Sequence, residues 1–342
     1  MTKQTKLSSI FMSLVIIVCV ISAVSNCIRP DVFAQTSMPQ YAAGVEVWNL
    51  NSTEASALHA AGLNYIRMGV DFLDSCCFNQ TYVAATGASL RMIGILDGWN
   101  LLENKSFTIK DWTNAISRAT QIYPAINVWE IWDEPMIPWI GYYGYNDGSV
   151  QHYFNLLESA YTTLKAINAN YVVIGLGGPS LANSTQLSWA QQLWTLGGAN
   201  YCDAISVHAY PFNLNLDPVE NWTYYQSLWT SYFPRWRNLG KPIWLTETGL
   251  QSNQKTPADQ ATYLNESYNF FKQQGVVLYS WYDLYSTGNE WGLLNSNGSP
   301  KAAYVTYLDL LQATSSTTQV TTSSTSTSSR LHGHEQERER FP

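Results

Sequence analysis

Two short runs of this chain each carry a glutamate toward their end, Glu134 in Val128-Trp129-Glu130-Ile131-Trp132-Asp133-Glu134-Pro135 and Glu247 in Ile243-Trp244-Leu245-Thr246-Glu247-Thr248-Gly249. Each reads as a buried strand giving way to a turn. Two carboxyl groups brought together from such places can cleave a glycosidic bond with retention. One keeps its proton for the leaving oxygen, and the other, ionised, attacks the anomeric carbon. A glutamate at a strand end is ordinarily a surface or paired acid, so it is the pair Glu134 and Glu247 that carries the expectation.

The elements that would position them are legible between Tyr41 and Leu311, where short apolar runs alternate with longer amphipathic ones. Strands are expected at roughly 42–48, 63–70, 90–96, 126–132, 171–176, 203–209, 242–247 and 276–282. Between them, Ile109 to Tyr123, Gln151 to Ile167, Ser188 to Leu196 and Ala258 to Gln273 show apolar residues at helical spacing. Eight β/α units in about 250 residues describe an α/β fold of the TIM-barrel kind, a single (β/α)8 domain. A doubly wound sheet has the same local pattern. The barrel is preferred because polar residues gather at the last positions of several strands, and a barrel brings those ends into one bowl.

The strand-end residues resemble those of clan A glycoside hydrolases, the superfamily holding family 5 cellulases and mannanases and family 39 xylosidases. In that clan the proton donor ends strand four in a sequence like Asn-Glu-Pro and the nucleophile ends strand seven. The resemblance therefore implies Glu134, in Asp133-Glu134-Pro135, as acid/base and Glu247, in Thr246-Glu247, as nucleophile. Gly62-Leu63-Asn64-Tyr65-Ile66-Arg67 is similar to the second strand of family 5, which implies that Arg67 supports the nucleophile. Val207-His208-Ala209-Tyr210-Pro211 resembles the sixth-strand motif, implying that His208 contacts the sugar or the acid/base and that Tyr210 hydrogen-bonds the nucleophile. Tyr279-Ser280-Trp281-Tyr282 is similar to the eighth-strand segment whose tryptophan floors the sugar subsite. Trp291-Gly292-Leu293-Leu294 and the Gly298–Tyr304 stretch close the pattern.

Physical chemistry sets matching requirements. An arginine and a tyrosine hydroxyl beside Glu247 would favour its ionised form, whereas Trp129, Trp132 and Trp139 near Glu134 would offer a dry wall favouring its protonated form. The two carboxyl groups should stand about 5 Å apart. Asp133 departs from the asparagine usual in the clan, whose amide donates to the sugar 2-hydroxyl. A protonated Asp133 could donate in its place, which predicts an acidic pH optimum; an ionised one could only accept. It could also mark a lost activity.

Aromatic residues make up 14% of the chain, and sugar faces stack on such rings. Trp281, Trp99 and Trp291 are the expected platforms, with Trp139, Tyr142, Tyr143 and Tyr145 after strand four as further candidates. Trp48 and Trp244 read as possible barrel interior. His208 has no second histidine at ligand spacing, so no metal is expected, and no nucleotide or flavin motif implies a cofactor.

Residues 1–34 read as a secretory signal: Lys3 and Lys6 precede an apolar Ile10–Val24 stretch, shorter than a span of about 20 residues, with cleavage expected after Ala34 or near Ser25. Residues 35–312 form the catalytic domain, and the Ser/Thr-rich 313–342 cannot bury enough apolar surface to fold, as a tether, a truncated linker or a glycosylated stalk. Seven Asn-x-Ser/Thr sequons, at Asn51, Asn79, Asn104, Asn183, Asn221, Asn265 and Asn297, agree with export. Of the thiols beyond the signal, Cys76 and Cys77 could pair with each other or stay free, and Cys202 is a poor partner for either. Charged residues are only 13% and the net charge is −7, so no basic groove serves nucleic acid. The expected partner is a β-linked polysaccharide or oligosaccharide. The mature chain is expected to be a secreted monomer that does not insert in a membrane and acts endo, as a cellulase or mannanase does; an exo-acting β-glycosidase or β-xylosidase, or a carbohydrate-binding barrel without turnover, are the alternatives.

Overall fold

The computed structural model describes residues 41–71, 78–98, 107–137, 148–211, 217–253, 255–286, 288 and 290–324, with side chains of the last helix through 313. The signal region, Trp99, the 139–145 aromatics, Cys76 and Cys77 lie outside the described residues.

Eight parallel strands pair in chain order and close on themselves: β1 (Ala42–Glu46), β2 (Tyr65–Gly69), β3 (Arg91–Leu96), β4 (Val128–Ile131), β5 (Val172–Gly175), β6 (Ala204–His208), β7 (Ile243–Thr248) and β8 (Leu278–Trp281). Closure is made by Ala42 opposite Leu278. The doubly wound alternative is thereby excluded. Around the barrel run α1 (Ser52–Ala60), α2 (Phe78–Gly87), α3 (Ile109–Ile122), α4 (Val150–Ile167), α5 (Ser184–Thr195), α6 (Trp222–Arg237), α7 (Pro257–Gln273) and α8 (Ala302–Ser324).

Local sequence explains the helix starts. Asn51 with Glu54, Thr108 with Asp111, and Thr256 with Asp259 form capping boxes, each satisfying two backbone N–H groups that the helix cannot. Asn51 and Asn183 are at once sequon asparagines and side-chain caps. The last helix runs past the expected tail boundary at 313. Once a helix is nucleated on packed residues such as Tyr307 and Leu311, each added residue gains a hydrogen bond.

The period-two alternation of a strand sorts the barrel interior into storeys. The lowest is one residue from each strand: Ala42, Tyr65, Ile93, Val128, Ile174, Ala204, Trp244 and Leu278. Small Ala42 and Ala204 leave room for Tyr65 and Trp244, whose rings meet edge to face at 5.6 Å. Two residues further along the strands come Gly44, Arg67, Glu130, Ser206, Thr246 and Ser280. The intervening residues, among them Val45, Ile66, Trp129, Val173, Leu245 and Trp281, belong to the outer core beneath the helices. The apolar storey seals one end, and the polar residues above it form the floor of a bowl at the other.

Candidate active site

Arg67 is the hub of that floor. It is 1% exposed, and Nε donates to Glu130 at 2.6 Å, Nη2 to Asp133 at 2.8 Å, and Nη1 to both Glu247 and Glu46. A guanidinium taken out of water needs such compensation, because its planar array of donors must all be satisfied. Burial alone would lower its affinity for the proton; the surrounding carboxylates, Glu130 and Glu46 foremost, outweigh that and hold it charged. Glu46 responds oppositely. Burial pushes its carboxyl well above the usual carboxylate range, against the pull of Arg67.

Glu247 owes its direction to an irregularity of β7. Strict alternation would send Thr246 and Glu247 to opposite faces, yet Thr246 donates inward to Glu130 at 3.1 Å while Glu247 also reaches the bowl. The register of β7 shifts against both neighbours here. Thr248 then faces outward, its hydroxyl on the Ala209 carbonyl at 2.6 Å. A bulge of this sort re-aims a side chain. Tyr210 donates to Glu247 Oε2 at 2.7 Å, so both carboxylate oxygens have a donor.

Glu134 sits in a turn after β4, with positive φ of 68° at Trp132 and 43° at Glu134. Side chains rarely adopt these values, and surrounding contacts must hold them. The Glu134 N–H donates to the Gly177 carbonyl at 2.6 Å. Gly177 and Gly178 make the room: a Cβ at Gly177 would lie 2.7 Å from Pro135, and one at Gly178 only 2.0 Å from His208 Nε2.

His208 joins the two carboxyl groups. Its Nδ1 lies 3.2 Å from Glu134 Oε1 and 3.5 Å from Glu247 Oε2. Burial would push the imidazole down, but the charge of Glu247 and the contact with Glu134 lift it to about 9. Among the described residues, buried Nε2 has no hydrogen-bond partner. Asp133, His208 and Glu247 could offer ligand atoms within 4.8 Å of one another. Arg67 already donates to two of them, and a metal cation there would adjoin a buried guanidinium. The donor set fits an ion-pair and proton network better than a metal.

A cavity of about 260 Å³ opens over these groups, lined among others by Glu46, Asp133, Glu134, Tyr210, Glu247, Tyr282 and Trp291. Four aromatic residues line it, Trp48, Tyr210, Tyr282 and Trp291, and Trp291 meets Tyr210 edge-on at 5.1 Å and Tyr282 at 6.2 Å.

The structure therefore gathers Arg67, Asp133, Glu134, His208, Tyr210, Glu247 and Trp291 at one place. Trp281, expected as a sugar platform, does not reach the cavity. It is fully buried in the outer core against Tyr263, because alternation along Leu278, Tyr279, Ser280 and Trp281 points it away from the bowl. Tyr282 takes the position on the cavity, and Trp281 Nε1 instead donates to the Trp291 carbonyl at 3.1 Å. Trp129 and Trp132 likewise pack outward, against Tyr171 and against Phe107 and Trp112, so they do not form the dry wall expected for Glu134. Trp244 is interior, whereas Trp48 is 39% exposed at the cavity rim.

Sequence reasoning missed Glu46, Glu130 and the glycine pair. Each left a signal. Glu46 and Glu130 are acidic residues on the inward register of otherwise apolar strands, which demands a buried partner. Gly177-Gly178-Pro179 follows β5 after one residue, Leu176.

Residues 158–307 match the family model described as the glycosyl hydrolase catalytic core. No curated protein sequence matches the chain. Among solved structures, a family 39 glycoside hydrolase from Bacteroides cellulosilyticus WH2 is similar with a TM-score of 0.60 and 19% identity, over 83% of this chain and 65% of that one. An endo-β-1,3-glucanase of family 128 from Amycolatopsis mediterranei, in complex with laminaritriose, gives 0.54 and 18%, over 80% and 99%. A monomeric β-xylosidase from Caulobacter crescentus CB15 gives 0.56 and 15%, over 80% and 69%. At these identities the structural likeness is one of fold.

Proposed function

We propose that the chain cleaves a β-linked glycan by double displacement, with Glu247 as nucleophile and Glu134 as acid/base. The observation that carries this reading is His208 Nδ1, one nitrogen within reach of both carboxyl groups. Their roles differ by environment. Glu247 is held by a guanidinium and a phenol, contacts suited to an ionised carboxylate. Glu134 touches only the imidazole among these groups and is the more exposed of the two.

In the first step a Glu247 oxygen bonds to the anomeric carbon as the bond to the leaving oxygen breaks, and Glu134 gives that oxygen its proton. In the second, Glu134 takes a proton from water, the water oxygen bonds to the anomeric carbon, and the ester to Glu247 breaks. The ionised nucleophile stabilises the positive charge of each oxocarbenium-like transition state. Asp133 has Oδ1 committed to Arg67, which leaves Oδ2 for a sugar hydroxyl.

A β-1,3-glucan is the first substrate to try, because the endo-β-1,3-glucanase neighbour is spanned almost whole; β-xylan follows from the xylosidase neighbour. Export of the mature chain is part of the same reading, supported by the leader-like residues 1–34 and the sequons. The test is hydrolysis of a panel of β-glycans and aryl β-glycosides by the chain from Gln35 onward and by Glu247→Ala and Glu134→Gln. Turnover lost in Glu247→Ala and regained with azide, giving the glycosyl azide of opposite anomeric configuration, supports the assignment. Full turnover in Glu247→Ala would overturn it.

A further inference from the structure

A second and larger cavity, about 610 Å³, opens beside the catalytic one between the chain after β1 and the chain after β8. Trp48 lines both. Its indole is 39% exposed, with Phe78 behind it at 6.1 Å, so it stands as a supported aromatic surface at the junction of the two. Beyond it the cavity is lined by Asn49, Glu54, Asp283, Tyr285 and Asn297 among others. These are amides, carboxyls and a phenol, the groups that hydrogen-bond hydroxyls, and no lysine or arginine is among the described lining residues. Tyr285 and Glu54 are already fixed to each other by a hydrogen bond, and the Glu54 carboxylate also caps α1. The wall is thus preorganised on both sides.

We infer that this cavity is a distal sugar-binding subsite that holds the glycone end of an uncharged β-linked chain, with Trp48 as the step between it and the bond that is cleaved. The inference rests on the hydrolase reading and extends it to chain length. Direction follows from topology. Glu134 follows β4, across the ring of eight from β8 and β1, and the leaving group must touch Glu134. Sugars lying over β1 and β8 are therefore on the side that is kept on Glu247.

The probes are aryl β-glycosides with one to four sugars in the glycone, as β-1,3-gluco and β-1,4-xylo series. All their sugars lie on the glycone side. The expected result is a kcat/KM that rises by about tenfold or more with length, equivalent to about 1.4 kcal/mol. The rise should vanish in Tyr285→Ala and in Ser296→Arg, a substitution at an exposed lining residue that leaves the core untouched. Turnover of the one-sugar probe should stay within about twofold. A length effect that survives both variants, or a one-sugar probe that falls with the rest, overturns the subsite alone. Should the wild type hydrolyse none of them, calorimetry on the same series separates the two ideas. Affinity that rises with length and loses that rise in both variants keeps the subsite while hydrolysis fails, and affinity independent of length ends the subsite.

Discussion

Arg67 Nη1 donates to Glu247 and to Glu46 at once, so the candidate nucleophile and a second buried carboxyl hang on a single nitrogen. The remaining guanidinium nitrogens are committed to Glu130 and Asp133. A lysine offers one ammonium on a flexible stem and cannot satisfy four carboxyl groups arrayed around a planar fork. Arg67→Lys should lose on the order of 3 kcal/mol of stability, as broken buried ion pairs do. Its kcat should fall by about a hundredfold or more as Glu247 loses its support. Denaturant unfolding and steady-state kinetics on one preparation check both.

Tyr210→Phe isolates one interaction. The phenol donates to Glu247 Oε2 at 2.7 Å and its ring packs on Trp291, so removing only the oxygen keeps the packing. A hydrogen bond to a charged group is worth about 1.5–3 kcal/mol, and kcat should drop by about 10- to 100-fold with the melting temperature little changed. An unchanged kcat would show that Tyr210 does not act on the nucleophile.

Gly178→Ala should disable the site through His208. The new Cβ would lie 2.0 Å from Nε2, and Gly178 has φ of +79°. The imidazole must move off Glu134 and Glu247, and the left-handed backbone adds about 1–3 kcal/mol of strain. Loss of kcat by about a hundredfold and a lower melting temperature are expected, with Gly240→Ala, which also has positive φ but open space, as the control that keeps activity.

Stability should decline from acid toward alkaline pH, in the direction Glu46 also acts, through Asp283 and His208. Burial lifts the Asp283 carboxyl to about 7, outweighing hydrogen bonds from the Tyr285 and Leu284 backbone. The folded state therefore binds this proton more tightly than the unfolded chain, whose carboxyl titrates near 4. That contribution is full below about 4 and is lost as pH rises through 7. His208, at about 9 against an ordinary value near 6.5, contributes fully below about 6.5 and loses its share as pH rises through 9. Melting temperatures should fall in both windows, and Asp283→Asn should flatten the lower one.

Asp133→Asn tests the departure from the clan pattern. The amide oxygen can still accept from Arg67 Nη2, while the amide nitrogen becomes a donor at the position Oδ2 now holds. Activity of the wild type should peak below neutral pH if a protonated Asp133 serves the sugar, and the substitution should then move the maximum toward neutral. An acid limb that stays where it was would leave Asp133 as an acceptor.

Much of this was legible in the residues because it depends on local rules. Short apolar runs marked all eight strands, and the order of Arg67, Glu134, His208-Ala209-Tyr210 and Glu247 along the chain matched strand ends that only a barrel collects. What the chain could not show by itself was the direction of individual side chains and the balance of buried charge. Trp281 faces the helices and Tyr282 the cavity over Glu134 and Glu247 because of the pleat. Glu247 faces inward beside Thr246 only because β7 slips its register against β6 and β8. Glu46 and Glu130 join Arg67 across 21 and 63 residues of sequence. Such a cluster exists only when the barrel closes, since the cost of burying each charge is met by groups that no neighbouring residue supplies.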